Sequence, residues 1–420
     1  MCFGQSCFAQ DFERCATFKI DSVKSVKTPQ RLRNKSRFEN QVRSYLTDNQ
    51  QLTNVITGII RIPVVVHIIH NNAQGVIGGT GNINISDEQV YSQIKVLNED
   101  YRKKTNTLGF NTFSFGADTE IEFFLALRDP DGNPSKGITR TYNAKNNYDI
   151  FNDTDLLTSL NYWDSNRYLN IWVCAIAGNY LGYTPEFPGA AGIQGLDATD
   201  GNEKTDGVVV DYRAFGKKIG TSVNGIYTNG RTTTHEIGHF FGLIHTWGDA
   251  FCGDDYCTDT PTEARSNSTR FCRDVFSTCS GTRTRDLIED YMDYSPDSCM
   301  SVFTQNQKDR MRAVMALSQR RQNLINYGKL LDFPITSNLQ VTVLPNPVQK
   351  IIQLQVLLVD SQDYSITLFD EAGRTIMVNN YVNLPSTILQ IQPPEMPEGK
   401  YFLRITTTKE SQVKRIIYSK

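Results

Sequence analysis

One short stretch constrains the fold of this chain more than any other: residues 235–245 read His-Glu-Ile-Gly-His-Phe-Phe-Gly-Leu-Ile-His. Residues four apart on a helix share a face, so His235 and His239 can bind the same ion. Gly242 can adopt a positive φ and let the chain leave the helix, which returns His245 as a third ligand. Three imidazole nitrogens leave a fourth tetrahedral position for water, so the stretch predicts a catalytic zinc site.

Glu236 follows the first of these histidines and can reach a water bound at the open position. Zinc lowers the pKa of such a water to about 7, and we expect Glu236 to take its proton and pass it to a leaving amine. Three of the five histidines of the chain fall in this window. The other two, His67 and His70, end an apolar strand, where a histidine is more often a packed residue, and we leave them out of the site.

Composition excludes several classes of function. The chain has 420 residues and a formal net charge of −2, so its overall charge indicates neither a nucleic-acid partner nor an anionic membrane surface. No stretch is long and apolar enough to be read as a membrane span. We expect a monomer that acts on proteins or peptides.

The organisation along the chain predicts an N-terminal leader and two domains. Residues 1–10 resemble the end of a signal peptide, with cleavage after Ala9. Residues 11–57 are polar and form a pro-segment. We expect a catalytic domain over 58–330 with an α/β arrangement and a mixed sheet, because strands alternate with helical patterns. Its predicted elements are strands at 62–69, 121–127, 168–174 and 207–211, a helix beginning after Ser86 with Gln89 completing the cap, and the metal-site helix.

The region beyond residue 330 changes character. Residues 331–338 form a linker, and 339–420 predict a small all-β sandwich, because β-branched runs are separated by turn sequences. The predicted strands are 341–344, 351–359, 364–369, 387–391 and 401–406.

The long histidine motif resembles that of the metzincin zinc peptidases. Members of that group place a methionine turn beneath the metal, and Asp290-Tyr291-Met292-Asp293-Tyr294 is similar to it. The resemblance implies that Met292 supplies an apolar floor for the histidines. It also implies that Tyr294 hydrogen-bonds the developing oxyanion.

Within the metzincins, residues 55–330 resemble the pappalysin family. The matching stretches, in chain order, are 62–67, 182–183, 207–209, the histidine motif, 258–261, 291–294 and 299–300. The resemblance implies a secreted zinc metalloendopeptidase. Its cleft would lie between an upper mixed sheet and a lower, irregular subdomain.

The same resemblance implies further site residues. It implies a calcium-binding loop after the zinc helix, and oxygen ligands suit that ion. The loop residues are Asp254, Asp255, Asp259, Thr260 and Glu263. Asp297 would favour a basic residue just after the scissile bond. Cys15 lies in the pro-segment, where a cysteine thiolate can occupy the fourth position of zinc and silence a metzincin.

The nine cysteines indicate an oxidising compartment, because five of them cluster within a polar region without any C-x-x-C pair. The family resemblance implies a disulfide between Cys272 and Cys299. Cys279 would then pair with Cys252 or Cys257, and one cysteine of the cluster is left over.

The C-terminal domain resembles the sorting domain of proteins exported by the Bacteroidetes type IX secretion system. The matching stretches are 344–347, 368–374, 399–403 and 414–420. The resemblance implies a protein that contacts the secretion machinery, crosses the outer membrane and ends in the medium or on the cell surface.

Two other functions remain open on sequence alone. The chain could be a surface adhesin that keeps a metzincin fold, although the intact Glu236 favours an enzyme. It could also be a zinc hydrolase of a non-peptide amide, which only the family resemblance disfavours.

Overall fold

The structure is a computed structural model of the whole chain. It describes residues 13–47, 58–185, 187–197, 202–223, 225–331, 339–358 and 362–419. The proposed signal remnant and nearly all of the proposed linker lie outside these residues. Among the described helices, none is both long and apolar enough to cross a membrane.

The α-helices of the described residues all lie before residue 332. They are α1 (Thr17–Lys27), α2 (Pro29–Thr47), α3 (Asp87–Tyr101), α4 (Thr154–Leu160), α5 (Arg231–Phe240), α6 (Gln305–Leu317) and α7 (Gln319–Leu331). Ser86 caps α3 by accepting a hydrogen bond from the Gln89 amide, as its sequence predicts.

Strands up to residue 285 are β1 (Glu13–Cys15), β2 (Ile60–His70), β3 (Ile121–Leu125), β4 (Ile138–Tyr142), β5 (Leu169–Cys174), β6 (Tyr180–Tyr183), β7 (Gly207–Asp211), β8 (Phe276–Ser277) and β9 (Thr284–Arg285). The C-terminal strands are β10 (Leu339–Leu344), β11 (Ile352–Leu358), β12 (Gln362–Asp370), β13 (Thr375–Leu384), β14 (Thr387–Ile391), β15 (Gly399–Thr407) and β16 (Ser411–Tyr418).

The catalytic domain is built on a seven-stranded mixed sheet in the order β1-β6-β7-β5-β2-β3, with β4 also paired to β2. All its pairs are parallel except β6 with β7. Parallel strands are covered on both faces, so their sequences are continuous apolar runs. For this reason β2, β5 and β7 could be predicted from the sequence. α5 contacts β7 and β6, so the sheet carries the histidine helix.

The residues after α5 are irregular up to α6, apart from the β8–β9 pair, and form the lower part of the catalytic domain. The C-terminal region contains a three-stranded sheet (β10-β11-β14) and a four-stranded sheet (β13-β12-β15-β16). Buried side chains from both sheets share one core, among them Leu354, Val356, Ile366 and Leu403. This is the sandwich expected from the alternating pattern.

Candidate active site

The histidine helix α5 ends at Phe240, two residues before Gly242. The amide of Phe241 bonds to the carbonyls of Ile237 and Gly238, and Gly242 then takes a φ of 86°. A side chain at Gly242 would also lie 2.7 Å from Val314. The chain therefore turns back at this glycine and delivers His245 to the helix face that carries His235 and His239.

The three imidazoles converge on one point. Their Nε2 atoms lie 3.1 to 3.2 Å apart, and all three side chains are buried. The Nδ1 atoms of His235 and His239 contact the carbonyls of Tyr291 (2.7 Å) and Leu243 (2.9 Å), and that of His245 contacts Asp249. Partners of this kind leave each Nε2 lone pair directed at the shared point.

This donor set fits zinc. Tetrahedral ligands at about 2.0 to 2.1 Å from zinc lie about 3.3 Å from each other, close to the separations found here. Burial and the mutual repulsion of the rings lower the pKa of His235 well below its usual range, and burial with repulsion from His245 lowers the pKa of His239 to about 3. The rings of His235 and His239 are therefore neutral, which is the state that binds a metal.

Met292 lies beneath this helix. It is fully buried, and a side chain placed on Gly238 would come within 2.4 Å of its sulfur. The turn that carries it is fixed by the Asp290 carboxylate, which accepts the Met292 amide at 2.7 Å. The Met292 sulfur therefore packs against the histidine helix at Gly238, next to His239, and its role as an apolar floor for the histidines stays a prediction.

Glu236 is buried beside the histidines. Desolvation raises its pKa to about 8, although nearby hydroxyl groups oppose that shift. Its Oε2 lies within hydrogen-bond reach of the hydroxyls of Thr17 (3.2 Å) and Thr184 (3.4 Å), while no described group hydrogen-bonds its Oε1. Gly182 leaves room for this carboxylate, because a side chain there would lie 2.8 Å from it.

The N-terminal segment, which the sequence predicts to be a pro-segment, enters this site as strand β1. It pairs parallel to β6 with Cys15 opposite Gly182, and it is fully buried at Arg14 and Cys15. The Cys15 sulfur lies 3.5 Å from Nε2 of His239. Among the described residues, Cys15 and the three histidines form the only group of three or more His, Cys, Asp or Glu ligands close enough to hold one metal ion.

Tyr294 faces the same point. Its hydroxyl donates a hydrogen bond of 3.0 Å to the carbonyl of Cys15, and its ring lies 5.1 Å from that of His245. Trp247 stacks on His245 with ring centroids 4.3 Å apart and meets the Tyr294 ring edge-on at 4.8 Å. Tyr294 can therefore donate to a carbonyl held at the metal position.

Asp297 is one of three groups that surround the guanidinium of Arg14, and together they are called the Asp297 pocket. Its Oδ2 accepts the amides of Asn229 (2.8 Å) and Arg231 (3.2 Å), and its Oδ1 lies 3.0 Å from the guanidinium of Arg14. The same guanidinium donates to the Ser295 carbonyl at 2.8 Å and lies 5.1 Å from the centre of the Tyr227 ring. The pocket holds an arginine by charge, hydrogen bond and cation–π contact.

The acidic loop does not converge on one point. Asp255 accepts the amide of Cys257 and the hydroxyl of Thr260, whereas the Glu263 carboxylate lies between Thr246 and the Leu287 amide. Asp259 accepts bonds from Thr304 and Asn306, and Asp254 accepts the amide of Tyr256. Burial raises the pKa of Asp255 to about 7 and that of Glu263 to about 9, the latter also through repulsion by Asp293.

The clustered cysteines form two disulfides. Cys272 is bonded to Cys299, as the family resemblance implies, and Cys252 is bonded to Cys279. Cys257 is the residue left over and is buried. The first disulfide joins the segment next to Asp297 to the loop that precedes β8, which ties the two sides of the lower part of the domain together.

Sequence reasoning missed several residues that complete the site: Arg14, Thr17, Thr184, Tyr227 and Asp249. The sequence positions of two of these residues could have identified them. Arg14 directly precedes the candidate latency cysteine, and Asp249 lies four residues after the third histidine.

Two family models and several extracellular metalloproteases match the sequence of this chain. Residues 152–316 match the family model described as pregnancy-associated plasma protein-A, and residues 342–419 match the secretion system C-terminal sorting domain. An extracellular metalloprotease of Pyricularia oryzae is 33% identical over 236 residues, which is 55% of this chain and 68% of the fungal protein.

Two solved structures share the catalytic fold. A promirolysin mutant of Tannerella forsythia is 34% identical with a TM-score of 0.63, covering 77% of this chain and 100% of that one. Mature mirolysin of the same organism, in complex with a cleaved peptide, is 37% identical with a TM-score of 0.56, covering 66% of this chain and 100% of that one.

The fold and the site define a zinc metalloendopeptidase of the metzincin type. The chain belongs to the pappalysin family, which the family model names after pregnancy-associated plasma protein-A. It is a secreted protease that carries a type IX sorting domain, the export route of Bacteroidetes.

Proposed function

We propose that this enzyme hydrolyses the peptide bond before a basic residue and is made as a latent precursor. One observation carries the proposal: Arg14 fills the Asp297 pocket while the next residue, Cys15, reaches the three histidines. Adjacent residues therefore span the candidate specificity pocket and the candidate metal centre. A basic side chain just after the scissile bond fits the same spacing when the substrate runs antiparallel to β6, opposite to the direction of β1.

His235, His239 and His245 would hold the zinc. When bound, zinc acts as a Lewis acid and lowers the pKa of a water molecule. Glu236 takes a proton from the attacking water on its carboxylate and transfers it to the leaving nitrogen, a role that its buried place next to the first histidine allows. Tyr294 donates its hydroxyl hydrogen to the carbonyl oxygen of the scissile bond, as it does to Cys15.

Preference for a basic residue follows from the pocket. Two backbone amides hold Oδ2 of Asp297, so Oδ1 is presented to the pocket as a fixed, buried acceptor. The Ser295 carbonyl and the Tyr227 ring contact a planar guanidinium at two further points. An ammonium group is compact and cannot stack in this way, so arginine should be preferred to lysine.

Latency follows from the way residues 14–17 occupy the site. Cys15 lies at the fourth position of the metal site, and Thr17 hydrogen-bonds Glu236. A thiolate at that position displaces water, and a bound cation opposes the rise in thiol pKa that burial causes at Cys15. The related solved structures are of a promirolysin and of a mature mirolysin, which supports a precursor and a processed form here.

We propose the same domain division that the sequence indicates: a leader over 1–10, a pro-segment over 11–57, a catalytic domain over 58–330, a linker over 331–338 and a sorting domain over 339–420. The end of α7 at Leu331 and the start of β10 at Leu339 support the last boundary.

Calcium remains a prediction from the family resemblance. The buried carboxylates of Asp255 and Glu263, each with a raised pKa, would gain from a nearby cation. A calcium-selective chelator should then lower the unfolding temperature of zinc-loaded protein. An unchanged unfolding temperature would contradict the prediction that the protein binds a structural calcium ion.

Peptide cleavage tests the proposed function. Peptides with arginine, lysine, alanine or glutamate after one bond should be cut by the matured enzyme in that order of rate, with cleavage before the varied residue. Equal rates for all four peptides, or cleavage after the basic residue, would refute the proposed specificity.

A further inference from the structure

Helix α2 of the pro-segment lies in a groove of the catalytic domain. Its buried residues follow helical spacing and form a stripe: Arg31, Asn34, Phe38 and Val42. Phe38 and Val42 pack into an apolar cluster with Ala191, Ile193, Ala313 and Val314. Phe187 meets Phe38 edge-on with ring centroids 5.2 Å apart. The groove, formed by residues 187–197 and α6, is thus shaped for one face of a helix.

A buried cation lies in this groove. The Arg310 guanidinium makes two hydrogen bonds, of 2.6 and 2.8 Å, to the carboxylate of Glu39 on α2. Its side chain is 2% exposed, and it also donates to the carbonyl of Gly242 at 2.7 Å. Bidentate pairs of this kind fix both charge and orientation. The groove therefore selects a helix that carries a carboxylate beside its apolar stripe.

The groove is continuous with the active site. A small cavity of about 80 Å³ lies between the pro-segment and the catalytic domain, and its lining runs from Phe38, Phe187 and Arg310 to Gly242 and His239. A chain segment bound in the groove would therefore lie beside the histidine motif. One substrate chain could therefore bind with one segment in the groove and another segment in the active-site cleft.

Removal of the pro-segment would change this surface. It would uncover the apolar side chains that Phe38 and Val42 cover, and it would take from Arg310 the carboxylate of Glu39. A guanidinium flanked by apolar side chains can bind another carboxylate through the same bidentate geometry that it now uses with Glu39.

We infer that this groove is a substrate-docking exosite in the matured enzyme, and that its partner is an amphipathic helix of a protein substrate. The helix carries apolar residues four positions apart and a carboxylate next to the first of them, the arrangement of Phe38, Glu39 and Val42 in α2. This is recognition of a helix in a groove. The inference rests on the proposed function, because it requires that the pro-segment leaves.

The test uses enzyme matured from the full chain and two substrates with the same arginine-containing cleavage site. One is a short peptide, and the other carries residues 29–47 joined through a flexible linker of about ten residues. Because residues 29–47 themselves contain arginine and lysine, cleavage is measured at the shared site alone, by mass spectrometry. The helix is placed on either side of the site in separate peptides. The matched control helix carries Phe38→Ala and Glu39→Gln, which leaves its length and the cleavage site unchanged.

The helix should lower KM by about tenfold or more with little change in kcat, because docking raises the local concentration of the cleavage site. The control helix should lose this gain. Free peptide 29–47 should raise KM for the helix-bearing substrate and leave cleavage of the short peptide unchanged. Equal KM values for all substrates would overturn the exosite, as would equal inhibition of both substrates by the free helix.

A direct binding measurement separates this inference from the proposed function. If the short peptide is not cut, the proposed function fails, but fluorescence anisotropy of labelled peptide 29–47 still decides the exosite. Saturable binding that the Phe38→Ala, Glu39→Gln pair abolishes supports it, and absence of binding refutes it.

Discussion

Replacing Asp297 by asparagine in the matured enzyme should abolish its preference for a basic residue and leave its chemistry intact. The change keeps the shape of the side chain. The amide oxygen can still accept the bonds that Oδ2 now accepts from the amides of Asn229 and Arg231. What disappears is the negative charge that lies 3.0 Å from a guanidinium in the Arg14 complex.

The size of the effect follows from burial. The side chains of Asp297 and Arg14 are both fully buried, so the pair has little solvent screening. Removing one partner of a buried ion pair costs about 3 kcal/mol or more. At about 1.4 kcal/mol per factor of ten, kcat/KM for an arginine substrate should fall by roughly 150-fold.

The assay compares two peptides that differ only in arginine or citrulline after the scissile bond, since citrulline keeps the shape and loses the charge. The Asp297→Asn enzyme should lose activity on the arginine peptide and change little on the citrulline peptide. Asp131→Asn, which removes an exposed acid, is the matched control and should change neither. An unchanged ratio of the two rates in Asp297→Asn would refute the assignment of the pocket.

Three further results are expected. The Cys15→Ala precursor should cleave peptides without processing, and a fully latent variant would exclude the cysteine from latency. Replacing Cys252 and Cys279 by serine should lower the free energy of unfolding by about 3.5 kcal/mol for a loop closed over 27 positions, as measured by denaturant unfolding, and a change below about 1 kcal/mol would contradict this. Burial lowers the pKa of His67 from 6.5 to about 4, so stability should fall as the pH drops between these values, because the unfolded state binds the proton more readily. His67→Gln should flatten that dependence, and an equally steep acid loss in the variant would contradict it.

The histidine motif and the buried strands could be predicted because local physics determines them. A helix aligns His235 with His239, glycine alone turns easily at position 242, and a parallel strand such as β2 is apolar throughout. The α/β catalytic domain and the all-β C-terminal domain are confirmed. The edge strands β1, β4, β13 and β16 and the short internal strand β6 were missed, since their alternation is weak or interrupted by polar residues.

The remainder of the site depends on contacts between distant segments, which spacing does not encode. Arg14 and Asp297 lie 283 positions apart, and nothing local to either residue predicts their pairing. Thr17 reaches Glu236 only because β1 joins the sheet beside β6. The choice between Cys252 and Cys257 as the partner of Cys279 was also open in sequence, and the folded loop selects Cys252.

The most direct test of the central claim is digestion of a mixed peptide library by the matured protein, with and without a zinc chelator, alongside Glu236→Ala. The account predicts cleavage before arginine and lysine that the chelator abolishes, that added zinc restores and that the variant lacks. If the folded, zinc-loaded protein cleaves no peptide, the assignment of a peptidase mechanism to this site is contradicted, and a binding role on the same fold takes its place.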